Sequence, residues 1–213
     1  YGDISRRFSE VLAAMLPEVE TYSIDESFLN LSDFRASDVE KVARELRERV
    51  FRWTGIPTCV GIGPTKTLAK LGNFLAKKRP QFCSVCDLRA ENIRSTLLAT
   101  VPVNEVWGIG SASVAKLSTL GVKTAADLAA LEHDQARSLL TVTGGRVPSA
   151  FRGVSCLPLE MLEPARPGIA VTRSFGHPIH DWQRMSEAVA TYATRAAEKM
   201  RRHGVVAANL SVF

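Results

Sequence analysis

The apolar positions of the chain follow two different periods, and the dominant period changes along its length. Residues 3–16 place Ile4, Phe8, Val11, Leu12 and Leu16 at helical spacing ahead of Pro17. Two short strands are predicted next, over 18–24 and 27–32, with Asp25 and Glu26 at the turn between them. "SDVEKVARELRERVFRW" offers Ser37 or Asp38 as a cap and apolar residues at 39, 42, 43, 46, 50 and 53. That is an amphipathic helix, stopped by Gly55 and Pro57. "TCVGIG" reads as a β-branched strand entering Gly63-Pro64, a helix starts at Thr65, and "FCSVCDL" alternates as a short strand. Strand, strand, helix, strand, helix, strand is the order of an α+β layer.

From about residue 88 helical period takes over, in short pieces separated by Gly and Pro: "ENIRSTLLATVPV", "SASVAKLSTLG", "TAADLAAL" and "DQARSLL". Residues 88–160 are therefore expected to form a small all-helical unit, and the Pro- and Gly-bearing "LEMLEPARPG" a linker. Beyond it the pattern predicts a strand in "GIAVTRSFG", a helix "SEAVATYATRAAEKMRRHG" ended by Gly204, and an alternating strand "VVAANLSVF". The chain opens inside a helical pattern without Met and stops in mid-strand, so it reads as an excerpt of a longer one.

Composition changes this picture only at a few points. With 46% hydrophobic and 23% charged residues the chain is ordinary globular material. No apolar run is long enough to span a membrane. Cys59, Cys83, Cys86 and Cys156 lack a disulfide-framework spacing, which points to a reducing, cytoplasmic setting. Cys83 and Cys86 form a single CxxC, with no second pair or His cluster to complete a zinc site, so the strand reading is preferred. The net charge of +5 is segregated: residues 1–30 hold six acidic groups against two arginines, and residues 61–80 hold five basic groups and no acid. Such segregation suits a polyanion held beside an acidic centre, although uneven solvated faces would give the same tally.

Three stretches carry candidate chemistry. Along the helix from Thr65, Lys66, Lys70 and Lys77 fall within roughly 40° of one another at about 100° per residue. Leu68, Leu71 and Leu75 fall on the opposite side, so the helix packs one face and presents three lysines on the other. These either solubilise the helix or contact phosphates as point charges. In "VPVNEVWGIGSASVAKLSTLG" a short helix is expected to reach Trp107, and a Gly108-Ile109-Gly110 turn to lead into a helix from Ser111, with Ser as its N-cap option. Glycines there let the backbone approach a ligand, and the helix N-terminus favours anions. The turn is either an ordinary αα connection or a helix-hairpin-helix that grips DNA phosphates. At the hairpin turn the alternation of faces relaxes, so Asp25 and Glu26 can converge on one divalent ion, for which hard oxygens suit Mg²⁺.

"YSIDESFLNLS", "GIGPTKTLAKLGNFLAKK", "VWGIG" and "TRSFG", in this order and spacing, resemble the Y-family translesion DNA polymerases, and most closely their UmuC group (the ImpB/MucB/SamB type). The resemblance implies an α+β fold: part of a palm over 1–87, an all-helical thumb with a helix-hairpin-helix over 88–160, a linker over 161–170 and the start of an α+β little finger over 171–213. Asp25 and Glu26 match catalytic metal carboxylates, Glu26 standing at the primer-end metal. Lys77 matches the lysine that contacts the dNTP triphosphate, and Lys66 and Lys70 match basic DNA-side positions of the same helix. Gly108, Ile109 and Gly110 match the thumb hairpin on the duplex backbone, and Arg173, Ser174 and Phe175 the entry to the little finger. The family implies two Mg²⁺ ions in the complete protein. It also implies primer-template DNA, a UmuD-like dimer, RecA and the sliding clamp as partners, and a cytoplasmic, nucleoid-associated site of action.

One departure bears on activity. The family's other metal aspartate, its fingers and its steric-gate aromatic would lie upstream of Tyr1, so the segment alone is expected not to polymerise. The expected function is error-prone, SOS-type lesion bypass by two-metal nucleotidyl transfer. The alternative is a degenerate, non-catalytic DNA-binding relative, and a helix-hairpin-helix nuclease or ligase fits the turn but not the order of the other motifs.

Overall fold

The computed structural model describes residues 1–140, 142–161 and 168–212. The chain divides into two units, Tyr1–Leu162 and Glu163–Phe213. Of the linker expected over 161–170, residues 162–167 lie outside the described residues, as does Phe213 at the end of the last expected strand.

The first unit opens with helix α1 (Gly2–Ala13), which ends a turn earlier than its apolar spacing predicts. Pro17 disfavours helical geometry at Leu16, and the chain turns through Met15 instead. Phe8, Val11, Leu12 and Leu16 pack against Leu46 and Val50 of helix α2 (Val39–Thr54). Between the helices, strand β1 (Val19–Thr21) pairs antiparallel with β2 (Ser27–Leu29), Glu20 standing opposite Phe28. Both strands are shorter than predicted. The N–H groups of Tyr22 and Ser23 both donate to the Glu26 carbonyl at 3.0 Å, and this widens the turn at the expense of the ladder.

Strand β3 (Val60–Ile62) pairs in parallel with β4 (Val85–Asp87), and helix α3 (Lys66–Lys78) makes the crossover that a parallel pair requires. The single α+β layer is thus realised as two separate two-stranded sheets, because β2 and β3 share no ladder. Thr65 caps α3 by accepting from Leu68 N, and Leu68, Leu71 and Leu75 are buried beneath it. Glycine allows α3 to lie directly on the strands. A Cβ on Gly61 would sit 2.0 Å from both Ala69 O and Asn73 N, and one on Gly72 would stand 3.0 Å from Gly61 Cα.

The strand reading of the CxxC holds only from residue 85. Cys83 and Ser84 adopt left-handed backbone, φ 47° and 64°, and delay the alternation. All four cysteines are free, and burial pushes the Cys86 thiol up to about 11, so it stays protonated and inert near neutrality.

Within 88–160 the regular structure is helical as far as Phe151, and residues 152–160 form no helix. Helices α4 (Glu91–Leu98), α5 (Ser111–Ser118), α6 (Ala125–Ala130), α7 (His133–Leu139), α8 (Val142–Gly145) and α9 (Val147–Phe151) follow in order. The helix expected to reach Trp107 does not. Pro102, extended at φ −61° and ψ 144°, separates α4 from a single 3₁₀ turn at Val103–Glu105. Val101, Val106, Ile109, Leu117, Leu128 and Phe151 share one core with the buried face of α3, so the helical stretch and the β3–α3–β4 layer pack as one body.

The second unit is built on helix α10 (Trp182–His203), capped by Asp181, which accepts from Gln183 N at 2.8 Å. The strands expected at 168–176 and 205–213 are not formed among the described residues. Alternation alone does not make a strand; it needs a hydrogen-bonding neighbour, and neither segment supplies one to the other. Phe175 instead stacks on Tyr192 at 6.5 Å between ring centroids, and Lys199 Nζ donates to the Ala170 carbonyl at 3.2 Å. No helix among the described residues is long and apolar enough to cross a membrane.

The close approach of β3 and α3 is testable. Gly61→Ala must push backbone against backbone, and urea unfolding should record a loss of about 3 kcal/mol, the upper range for overpacking. A loss below about 0.5 kcal/mol would show that the contact is not tight.

Candidate active site

The turn joining β1 to β2 carries Asp25 and Glu26 to the wall of a cleft of about 610 Å³. Its walls include Asp25, Glu26, Lys66, Lys70, Asn73 and Arg89. Both β2 and β3 line it, and the hydroxyls of Ser27 and Thr58, buried beside the cleft, have no hydrogen-bond partner among the described residues. A cleft with unmet polar groups and facing charges suits a polar occupant.

Asp25 is held by the turn itself. Its carboxylate accepts from Ser23 Oγ at 2.8 Å, while the side chain stays exposed. Glu26 faces α3, where Lys70 Nζ donates to both of its oxygens, at 2.6 and 2.7 Å. One turn earlier on α3, Lys66 forms an ion pair with Glu20 of β1. Glu20 is only 6% exposed and also accepts from the backbone N–H of Glu160 at 2.8 Å.

Aromatic rings fill the space around these pairs. Tyr22, Phe28 and Trp107 meet at centroid separations of 5.5 to 6.1 Å. Lys66 Nζ lies 5.1 Å from the Phe28 centroid, and Lys70 Nζ lies 5.3 Å from Tyr22 and 5.7 Å from Trp107. Each distance is within cation–π range. The lysine stripe is thus not the open face its period suggests: two of its three ammonium groups are engaged by hairpin carboxylates and rings.

The cleft brings Asp25, Glu26, Lys66 and Lys70 together, and the other candidates lie elsewhere. Lys77 is exposed on the last turn of α3, seven residues beyond Lys70, and does not line the cleft. Gly108 and Gly110 are exposed while Ile109 is buried between them, so this turn offers backbone rather than side chain. Gly108 has φ 87° with nothing near its absent Cβ, so backbone conformation is what calls for glycine. The helix after the turn begins at Ser111, but its N-cap is Gly110 and no side chain caps it. Arg173, Ser174 and Phe175 are exposed in the second unit. Glu20, Trp107 and Arg89 were not singled out as site residues from the sequence. Trp107 adjoins "GIG", and Glu20 lies on the hairpin five residues before Asp25; these neighbourhoods were the available signals.

The donor set suits a hard cation in part. Glu26 already binds a cation through both oxygens, and Asp25 adds an exposed carboxylate beside it. Among the described residues no third His, Cys, Asp or Glu joins them in one cluster. Other coordination positions would therefore fall to water or phosphate oxygen, as Mg²⁺ tolerates.

Known proteins place this geometry in context. A model of the impB/mucB/samB family matches residues 1–73, and one of that family's C-terminal domain matches residues 166–213. Asp25, Glu26, Lys66 and Lys70 fall within the first match and Arg173, Ser174 and Phe175 within the second. The chain is 43% identical over 203 residues to Protein UmuC of Salmonella typhimurium, covering 94% of this chain and 48% of that protein. It is 38% identical over 214 residues to Protein MucB of Escherichia coli, covering 100% and 51%. DNA polymerase IV of Bacillus velezensis is 27% identical over 218 residues, covering 100% and 51%. The chain thus spans about half the length of the curated relatives it matches. Among solved structures, an insertion ternary complex of Dbh DNA polymerase superposes with TM-score 0.61 at 21% identity, over 75% of this chain and 46% of that one. A Dbh–Dpo4 Y-family polymerase chimera superposes with TM-score 0.74 at 19% identity, over 93% and 57%. The fold is that of Y-family polymerases, α+β as the element order predicts.

The Glu20–Lys66 pair gives a test that bears on structure alone. Lys66→Met leaves a buried carboxylate uncompensated and should cost about 3 kcal/mol in urea unfolding. An unchanged midpoint would mean that the pair holds nothing in place.

Proposed function

Because the chain belongs to the impB/mucB/samB family, we propose that the protein acts in error-prone translesion DNA synthesis, extending a primer 3′ end on a damaged template by nucleotidyl transfer. The observation that carries this reading is the Asp25–Glu26 turn on the wall of a cleft, facing the lysines of α3. In this reading residues 1–87 are palm, 88–160 thumb, 161–170 linker and 171–213 the start of the little finger.

Asp25 and Glu26 would hold divalent metal, Mg²⁺ in the cell, two ions serving the complete protein. The metal, when bound, supplies Lewis-acid stabilisation of charge developing on phosphate and lowers the pKa of the primer hydroxyl. The chain's own groups bind and orient. Lys77, exposed at the end of α3, reaches toward the triphosphate of the incoming dNTP, and Lys70, when not on Glu26, lends positive charge to the DNA side of the cleft, while Lys66, closed in its pair with Glu20, holds the hairpin against α3. The Gly108-Ile109-Gly110 turn and the N-terminus of α5 present backbone N–H groups to duplex phosphates. Arg173, with Ser174 and Phe175, contacts template strand. These contacts are to backbone rather than bases, which suits an enzyme that tolerates altered templates.

Primer-template DNA and dNTP are the substrates of this reading, and a UmuD-like dimer, RecA and the sliding clamp its protein partners. It places the protein in the bacterial cytoplasm, at the nucleoid when acting. The test is primer extension by the full-length protein with Mg²⁺ and four dNTPs, beside an Asp25→Asn, Glu26→Gln double variant of equal fold and DNA affinity. Extension should be lost in the variant by about 10³-fold or more, the scale of removing metal-borne charge stabilisation. Extension by neither protein, with DNA binding intact and partner subunits supplied, would identify a non-catalytic DNA-binding relative instead.

A further inference from the structure

The two ion pairs between α3 and the hairpin differ in kind. Lys66–Glu20 is nearly closed to solvent, with side chains 11% and 7% exposed, and its carboxylate is also bonded to the Glu160 backbone. Lys70–Glu26 is half open, at 19% and 35%, and Glu26 has no other side-chain partner among the described residues. In it the ammonium occupies both carboxylate oxygens at once. A divalent ion on that same carboxylate edge competes for these lone pairs, and two cations on one edge at such distances repel strongly.

We propose that Lys70 is the resident counter-cation of Glu26, that a divalent ion must displace it to bind the hairpin, and that the rings of Tyr22 and Trp107 hold the displaced ammonium. The inference rests on the metal-binding role of Asp25 and Glu26 set out above. Three features support displacement over co-occupancy. The pair is exposed enough for an ion to reach it and buried enough to be weakly screened. Lysine has a flexible four-carbon stem, so its head moves without backbone change. Both aromatic faces already lie within about 6 Å of Nζ, so an ammonium leaving Glu26 keeps a favourable site rather than entering an apolar one.

Two consequences follow. With metal absent, Glu26 is neutralised and the turn does not carry two adjacent uncompensated carboxylates. With metal bound, a positive charge shifts from Glu26 toward the rings of Tyr22 and Trp107, the latter just ahead of the Gly108–Gly110 turn. Lys70 is in this account a positioning residue, acting on metal occupancy through Glu26.

Mn²⁺ binding to the full-length protein, read by the electron paramagnetic resonance signal of free Mn²⁺ without DNA or nucleotide, tests the exchange. Lys70→Met should tighten Mn²⁺ binding about three- to tenfold, the range for removing one partly exposed competing ion pair. Lys70→Arg, which keeps the charge, should stay near the parent affinity. Lys70→Gln carries the same expectation as Lys70→Met and serves if the latter fails to fold. The gain must vanish in a Glu26→Gln background. Unchanged or weaker binding in Lys70→Met and Lys70→Gln overturns displacement while leaving the metal site standing. A gain that persists without Glu26 overturns it as well, since the lysine then acts only through the general field. Mn²⁺ binding that ignores Asp25 and Glu26 in every variant sinks both this inference and the metal role it rests on.

Discussion

The site depends on the contact between β3 and α3 at Gly61 and Gly72. That contact is backbone against backbone, with no room for a methyl group at Gly61 and a tight fit at Gly72, and it seats α3 on β3. From there Lys66 and Lys70, one turn apart, each reach a different carboxylate, Glu20 on β1 and Glu26 at the turn. A side chain at Gly61 would push α3 off β3 and strain the helix that carries both lysines. Close-packed interiors pass such strain on rather than absorb it. Glycine at two positions therefore does for the electrostatics what no charged residue could do alone.

The two pairs then divide the work. Glu20–Lys66 is buried, bonded to the backbone of Glu160, and ties β1, α3 and the segment near residue 160 into one body. Such a pair adds little net stability over an apolar equivalent but is damaging to break, so it specifies position. Glu26–Lys70 lies nearer solvent, where pairing is weaker and exchange easier. Beside both, Tyr22, Phe28 and Trp107 form one aromatic cluster, of which Phe28 lines the cleft. Trp107 comes from the segment that leads into the Gly108–Gly110 turn, so the hairpin and that turn share a wall.

Much of this was legible in the sequence, for identifiable reasons. The apolar faces of α1, α2 and α3 are local patterns, and local patterns survive folding; Leu68, Leu71 and Leu75 are buried as their spacing requires. The helix expected to start at Thr65 does so for the same reason, with Thr65 as its cap. What failed involves partners. The lysines of α3 were assigned to an open face because period shows that a face is polar and not what covers it. Nothing local to Glu20 announces its lysine partner 46 residues away. The helix expected to reach Trp107 overlooked Pro102. The alternating stretches 168–176 and 205–213 have the right period, but strands need neighbours, and none is provided within the described residues.

The central claim is that Asp25 and Glu26 together seat a divalent ion at the β1–β2 turn. Paramagnetic broadening of backbone amide signals by substoichiometric Mn²⁺ reads this most directly, because it locates the ion without requiring turnover. The account predicts loss of signals centred on residues 23–27, and recovery of the lost signals in Asp25→Asn, Glu26→Gln protein. Broadening centred elsewhere, with the turn unaffected, would contradict it.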